Sequence, residues 1–367
     1  MKEKSRNYGI DLLRIIAMLC VVILHAMNSG GLLFYTIKDS SQYKFAWLIE
    51  IIAFCAVDVF AIISGYVMWN KKTNYKKLIN LWFQVVFYSL IITFVTSFIY
   101  PNSVYKSDYI KSVFPVINKT YWYFTAYFGL FIIKPFIDKG IQDINEKTLK
   151  KIFIIILVIF SLFGIITKGF ELNNGYSIIW LIILYITGAI INKCNIGSKL
   201  KNIHILLGII ILITITYLFK IFGFDTINTI KKSFDIVINK DTLINYVSPT
   251  IFGIAILLII GLSRLEINNK SKKIIEFASS STFAIYLLNS HRFVDEIYMK
   301  KRFTYLIDDS IFTIFITIIG YAIIFVILAI LIDKIRIYLF KKLKIDNFSS
   351  WIYLKINILI NKISTKL

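Results

Sequence analysis

Asp11-Leu12-Leu13-Arg14, then ten mostly apolar residues, then His25: this stretch decides how the chain is read. The apolar run around it spans residues 10–29. About 20 residues rising 1.5 Å each cover the ~30 Å hydrocarbon core of a bilayer, so the run is long enough to cross one as a helix. Eleven residues separate Arg14 from His25. At about 100° per residue that is three turns plus roughly 20°, which puts both on one stripe, about 16 Å apart along the axis. Asp11 falls within roughly 40° of His25 on the same wheel. Ionisable groups inside a span cost on the order of 3 kcal/mol each on insertion scales, so an aligned acid, guanidinium and imidazole point to function.

Working outward, the apolar pattern repeats along the whole chain. The 367 residues are 57% hydrophobic, with a mean hydropathy of +0.73. Soluble domains average about 45–50% apolar. Ten spans are expected, at about 10–29, 45–68, 78–100, 120–137, 151–168, 176–192, 203–222, 246–262, 276–291 and 311–333. The expected fold is an all-α polytopic membrane helix bundle formed by residues 1–333. Residues 334–367 read as a basic amphipathic tail on the cytoplasmic surface, with Ser349 or Ser350 as its cap and Trp351 on its apolar face. The sequence shows no internal repeat of the kind common in secondary transporters.

A net charge of +21 invites a nucleic-acid reading, but the basic residues lie in short loops between apolar runs, which argues against it. With the N-terminus inside, cytoplasmic segments carry 26 Lys and Arg against 14 outside. That bias predicts a multi-pass protein of the cell membrane with both termini cytoplasmic. The basic start resembles a signal peptide, but the run is too long, contains Arg14 and lacks a small-x-small site, so it reads as an uncleaved first helix. Cys20, Cys55 and Cys194 imply buried thiols and no disulfide framework. No Walker loop, dinucleotide fingerprint, HExxH or Cys/His metal spacing is present, so no metal is expected.

Chemistry then rests on few groups. His25 suits a general base, with an unperturbed pKa near 6.5; the plainer alternative is an interhelical hydrogen bond worth about 0.6 kcal/mol. Asp58, near the middle of the second span, either orients His25, holds a polar substrate or pairs with another donor. Glu50, about two turns nearer the outer side, is a candidate substrate contact. Ser64-Gly65 suits close helix packing better than nucleophilic catalysis, since no Gly-x-Ser-x-Gly elbow surrounds it. In Lys71-Lys72-Thr73-Asn74-Tyr75-Lys76-Lys77, the lysines are either solvated charge or a phosphate site in which Lys72, Lys76 and Lys77 act as point charges. The cluster Thr120-Tyr121-Trp122-Tyr123-Phe124-Thr125-Ala126-Tyr127 reads as an interfacial aromatic belt or as a sugar-stacking surface using Trp122 and Tyr127.

Asp11-x-x-Arg14-x10-His25, followed by Val57-Asp58-Val59-Phe60 and Ser64-Gly65-Tyr66, resembles the integral-membrane acyltransferase family 3. The spacing of Trp122, Tyr127 and Pro135 is similar to the family's mid-chain segment, and Ser281-Thr282-Phe283-Ala284-Ile285-Tyr286-Leu287-Leu288 to its ninth-span motif. The likeness covers essentially the whole chain and is closest to stand-alone members that modify surface polysaccharides. It departs from the family pattern at Ala284, where Gly is common, and at Asn289, where His is common. His291 follows two residues later, about 200° around a helix. Lysines also stand in the basic loop where many members have arginines.

The resemblance implies acetyl transfer from cytoplasmic acetyl-CoA, as co-substrate, to a hydroxyl of a cell-surface glycan or lipid-linked sugar. His25 would be the catalytic histidine with Asp58 beside it, and Arg14 with Lys72, Lys76 and Lys77 would hold the donor. Glu50, Trp122, Tyr127 and Tyr286 would face the acceptor. The alternative that uses the same buried charges is a polysaccharide or lipid-intermediate transporter or flippase.

Overall fold

The computed structural model describes residues 6–165, 170–223 and 238–364. Lys2, Lys4, Lys168, Lys231, Lys232 and Lys366, all counted in the charge bias, lie outside these residues.

The first helix, α1 (Tyr8–Asn28), starts at Asn7, whose side chain accepts from the Ile10 amide at 3.0 Å and donates to the Ser263 carbonyl at 2.7 Å. One residue thus caps the helix and ties its start to a neighbouring loop. The expected second span forms as α2 (Ser41–Phe54) and α3 (Ala56–Met68), broken at Cys55. Next come α4 (Tyr75–Ile99), the short α5 (Lys106–Val113) and α6 (Trp122–Asp143). Helix α7 (Glu146–Ile155) continues through π-helical turns to Phe163. Then follow α8 (Ile178–Lys193), α9 (Asn202–Phe222) and α10 (Pro249–Leu262). The expected ninth span is also divided, into α11 (Asn269–Ser279) and α12 (Thr282–Asn289). The longest helix, α13 (Ile311–Lys342), is followed by α14 (Ile345–Ser364).

No strand occurs among the described residues. Five of their helical stretches are long and apolar enough to cross a membrane: Tyr8–Tyr35, Ser41–Met68, Tyr75–Ile99, Asn202–Phe222 and Ile311–Lys342. Ile178–Lys193 and Pro249–Leu262 are apolar but shorter. The fold is an all-α membrane bundle. One expectation needs correcting: α14 begins at Ile345, so Ser349 is a buried residue inside the helix and not its cap. Upstream, Lys334–Lys342 prolong α13 without a break.

Helix α1 is the hub, packing on α2, α3, α10, α11, α12 and α13. The closest pair is α3 with α8, where Gly65 and Gly188 let the backbones touch. A Cβ at Gly65 would sit 1.9 Å from the Tyr185 carbonyl oxygen, and one at Gly188 2.0 Å from that of Ile62. Small residues at such crossings replace the hydrophobic driving force that lipid does not provide.

Both described chain ends lie on one face of the bundle, called here the terminal face. Arg6 bonds Glu276 at 2.6 Å, Lys334 bonds the Phe277 carbonyl at 2.6 Å, and Lys76 pairs with Asp346 at the start of α14. On the opposite, distal face, the amides of Lys301 and Phe303 donate to the Ser29 and Gly30 carbonyls, at 2.8 and 2.9 Å. These bonds pin the loop after α12 over the end of α1.

Candidate active site

The α1 stripe is anchored at its start by a carboxylate shared between two arginines. Asp11 takes Arg14 at 2.8 Å through one oxygen and Arg6 at 2.5 Å through the other. Further along, Met18, Val21 and His25, at i, i+3 and i+7, line a cavity of about 380 Å³ that opens toward the distal face. Its walls come from the elements that interrupt regular helix. Phe54 and Val57 flank the break at Cys55, Trp122 and Tyr123 form the first turn of α6, and Ser290 to Glu296 leave the end of α12. Irregular backbone at membrane depth is tolerated where it lines such a cavity.

Inside, the Nδ1 of His25 has no hydrogen-bond partner. The charge acting on the ring is Asp295. Asp295 accepts from the Ser29 hydroxyl, one turn beyond His25 on α1. Glu50 is 3% exposed and one of its oxygens is unpartnered. Aromatic rings cover the rest: Trp122 on Tyr176 at 4.7 Å, Tyr176 on Tyr246 at 5.1 Å, and Tyr246 on Phe54 at 4.8 Å. Apolar ring faces beside carboxylates suit a ligand that offers C–H faces and hydroxyls together.

A second cavity, of about 700 Å³, opens toward the terminal face. Lys71, Lys72, Lys77, Lys134, Lys341 and Arg336 line it, against Asp346 as its one carboxylate. Lys134 is only 1% exposed and ties the basic loop to α6, donating to the Lys71 carbonyl at 2.9 Å and to Asp138 at 2.5 Å. Asp138 in turn accepts from Tyr185 at 2.7 Å, so a buried network fixes where the loop lysines stand. At the rim, hydrogen bonds from Lys76 and then Asn80 hold the Asp346 carboxyl below the usual carboxylate range. The cavity can hold a polyanion such as a nucleotide phosphate.

The two cavities share helices. On α6, Tyr123 lines the distal cavity and Tyr127 the terminal one; on α3, Phe60 lines the first and Val67 and Met68 the second. Separations of four and seven residues correspond to about 6–11 Å of helix. At the inner end of the terminal cavity the Tyr127 hydroxyl donates to the Met68 sulfur at 3.7 Å. Arg14, expected to hold the donor, is bound to Asp11 and lines neither cavity.

The structure thus brings together His25, Glu50, Trp122 and Tyr286 in one cavity, and Lys72, Lys77 and Tyr127 in the other. Trp122 and Tyr127, grouped as one aromatic surface in the sequence, face different cavities. Lys76 points to Asp346. Of the alternatives for Asp58, the bond to another donor is the one that forms, and none joins it to His25. Asp58 is fully buried between α3 and α8 and accepts from the Trp180 indole at 3.1 Å. Glu50, Asp295 and Glu296 are the carboxylates that share the cavity with the imidazole, and sequence reasoning missed Asp295 because it lies in π-helical turns far along the chain. Tyr123 lay within the quoted aromatic cluster without being singled out, and Tyr176, Tyr246, Arg336 and Lys341 reach the cavities only through packing of distant segments. Lys134 and Asp138 had a signal, an i,i+4 pair of opposite charges.

No curated protein and no solved structure matches the chain. A family model does: that of the acyltransferase domain of acyltransferase family 3, over residues 7–338. The match runs from the cap of α1 into α13 and takes in both cavities but for the last residues bordering the second. The chain therefore belongs to the integral-membrane acyltransferase family 3.

Proposed function

We propose that this acyltransferase moves an acetyl group from cytoplasmic acetyl-CoA to a hydroxyl of a cell-surface polysaccharide or lipid-linked sugar, with His25 as general base or transient acyl carrier. The observation that carries this reading is the pair of cavities on opposite faces, divided by one or two helical turns. The basic terminal cavity suits the CoA phosphates. A pantetheine arm extended through the partition past Met68 and Tyr127 would deliver its thioester to His25. The aromatic and carboxylate walls of the distal cavity suit a sugar. In this reading the terminal face is cytoplasmic, as the loop charges favour.

Purified protein in lipid nanodiscs, given acetyl-CoA and the envelope glycan fraction of the producing cells, should release CoA thiol and form O-acetyl groups seen by NMR. Replacing His25→Ala should cut the rate by about 10²–10⁴-fold, the usual worth of a positioned acid–base group. Full activity in a folded His25→Ala protein, or glycan transport without acetyl-CoA turnover, would contradict the reading.

A further inference from the structure

Acyl transfer needs more than a base, because attack on a thioester carbonyl places negative charge on its oxygen, and that charge must be met by a preorganised donor. Arg14 is bound to Asp11 and does not line the distal cavity. Tyr123 and Tyr286 do line it. The hydroxyls of Tyr123 and Tyr286 are both buried and both lack a hydrogen-bond partner, and both residues line the cavity that holds His25. Their side chains are 7% and 8% exposed. They come from different helices, α6 and α12, and meet edge to face with ring centroids 5.9 Å apart. The amides of Tyr123 and Phe124 approach the Tyr286 oxygen without closing a hydrogen bond.

Three other buried tyrosines are satisfied: Tyr88 bonds Asp333 at 2.7 Å, Tyr121 the Leu287 carbonyl at 3.1 Å, and Tyr185 Asp138 at 2.7 Å; the Tyr298 hydroxyl is also unpaired but does not line this cavity. Buried hydroxyls in native structures are almost always paired, because an unpaired one is destabilising. Two phenols that line one imidazole-bearing cavity and keep unpaired hydroxyls are the arrangement expected when the missing partner is a reacting group.

We infer that Tyr123 and Tyr286 form the oxyanion hole of this enzyme, donating hydrogen bonds to the acyl carbonyl oxygen of the thioester. The inference rests on the acyl-transfer reading above. In the step, the acceptor oxygen bonds to the carbonyl carbon as His25 takes its proton. The carbonyl π pair moves onto oxygen, where the two phenols hold it. Collapse re-forms C=O and breaks the C–S bond, and the departing thiolate takes the proton from His25, giving ester and free CoA thiol. Should His25 carry the acetyl group itself, the same oxyanion forms twice and meets the same donors.

The test uses the full-length protein in nanodiscs with acetyl-CoA and water as the acceptor, so that no glycan has to be chosen. Tyr123→Phe and Tyr286→Phe each remove one oxygen. Each should lower kcat for CoA release by about 10²–10³-fold with KM for acetyl-CoA within about twofold. Each variant should melt at or above the wild-type temperature, since an unpaired polar atom is gone. Infrared spectra of bound [1-¹³C]acetyl-CoA supply a readout independent of turnover. The wild-type carbonyl band should lie below that of free acetyl-CoA in buffer and move up in either variant.

A kcat within about threefold of wild type, a loss carried by KM, or an unmoved band would overturn the inference. Should a variant fail to fold, the wild-type band decides alone, and a position at or above the free value overturns it. His25→Ala, measured alongside, separates the two levels of the account. If it retains wild-type CoA release, the acyl-transfer reading falls and takes the inference with it. If it is inactive while the tyrosine variants are normal, only the oxyanion assignment falls.

Discussion

At the scale of single residues, the carboxylate of Asp295 shares the distal cavity with the imidazole of His25, an arrangement that no sequence pattern announces. Ser29, one turn beyond His25, holds Asp295, and Asp295 acts on the ring. A carboxylate in the same cavity stabilises an imidazolium as it forms. Asp295→Asn keeps the shape and the hydrogen bond from Ser29 while removing the charge. It should reduce kcat by about 10–100-fold, with KM for acetyl-CoA nearly unchanged, because the donor's phosphates are expected in the other cavity. Steady-state kinetics in nanodiscs check this, and a loss confined to KM would place Asp295 on a substrate instead. The stripe of Asp11, Arg14 and His25 was legible in the sequence because it lies within one helix, where spacing alone sets direction. Asp295, Tyr123 and Tyr286 come to the His25 cavity only through tertiary packing, and no spacing rule connects them.

Among the elements, the bundle is decided where helices touch most closely and where they break. The approach of α3 to α8 at Gly65 and Gly188 leaves no room for a methyl group. Gly65→Ala or Gly188→Ala forces backbone apart, a strain costing about 1–3 kcal/mol or more. Either should lower the melting temperature in detergent and reduce activity with it, since α3 carries wall residues of both cavities. Unchanged melting would show that the helices are not held this closely. Ser64-Gly65 could be read as a packing element because small residues have few other uses in a span. Ser64 itself donates to the Phe60 carbonyl at 3.2 Å, within its own helix. The breaks at Cys55 and at Ser280-Ser281 were not legible, because hydropathy records apolar length and not helix continuity. They matter for function: Phe54, Val57, Phe283 and Tyr286 lie beside them and face the distal cavity.

Over the whole molecule, the arrangement is of two chambers and a thin wall. The basic chamber is bordered at its rim by Lys76 and Asp346, which join α4 to α14, and the aromatic chamber by the segment that follows α12. Hydropathy and loop charge were sufficient to read a polytopic bundle. They could not show that α13 runs on to Lys342 and brings Arg336 and Lys341 to the basic chamber. The central claim is that donor and acceptor enter from opposite faces and meet across the wall at His25. Proteoliposomes with the protein in a single orientation test it most directly. Radiolabelled acetyl-CoA is supplied only on the terminal-face side, and the envelope glycan fraction only on the distal side. The account predicts labelled glycan on the distal side, abolished by His25→Ala and absent when the two substrates exchange compartments. Labelled glycan formed only when both substrates share one compartment would contradict it.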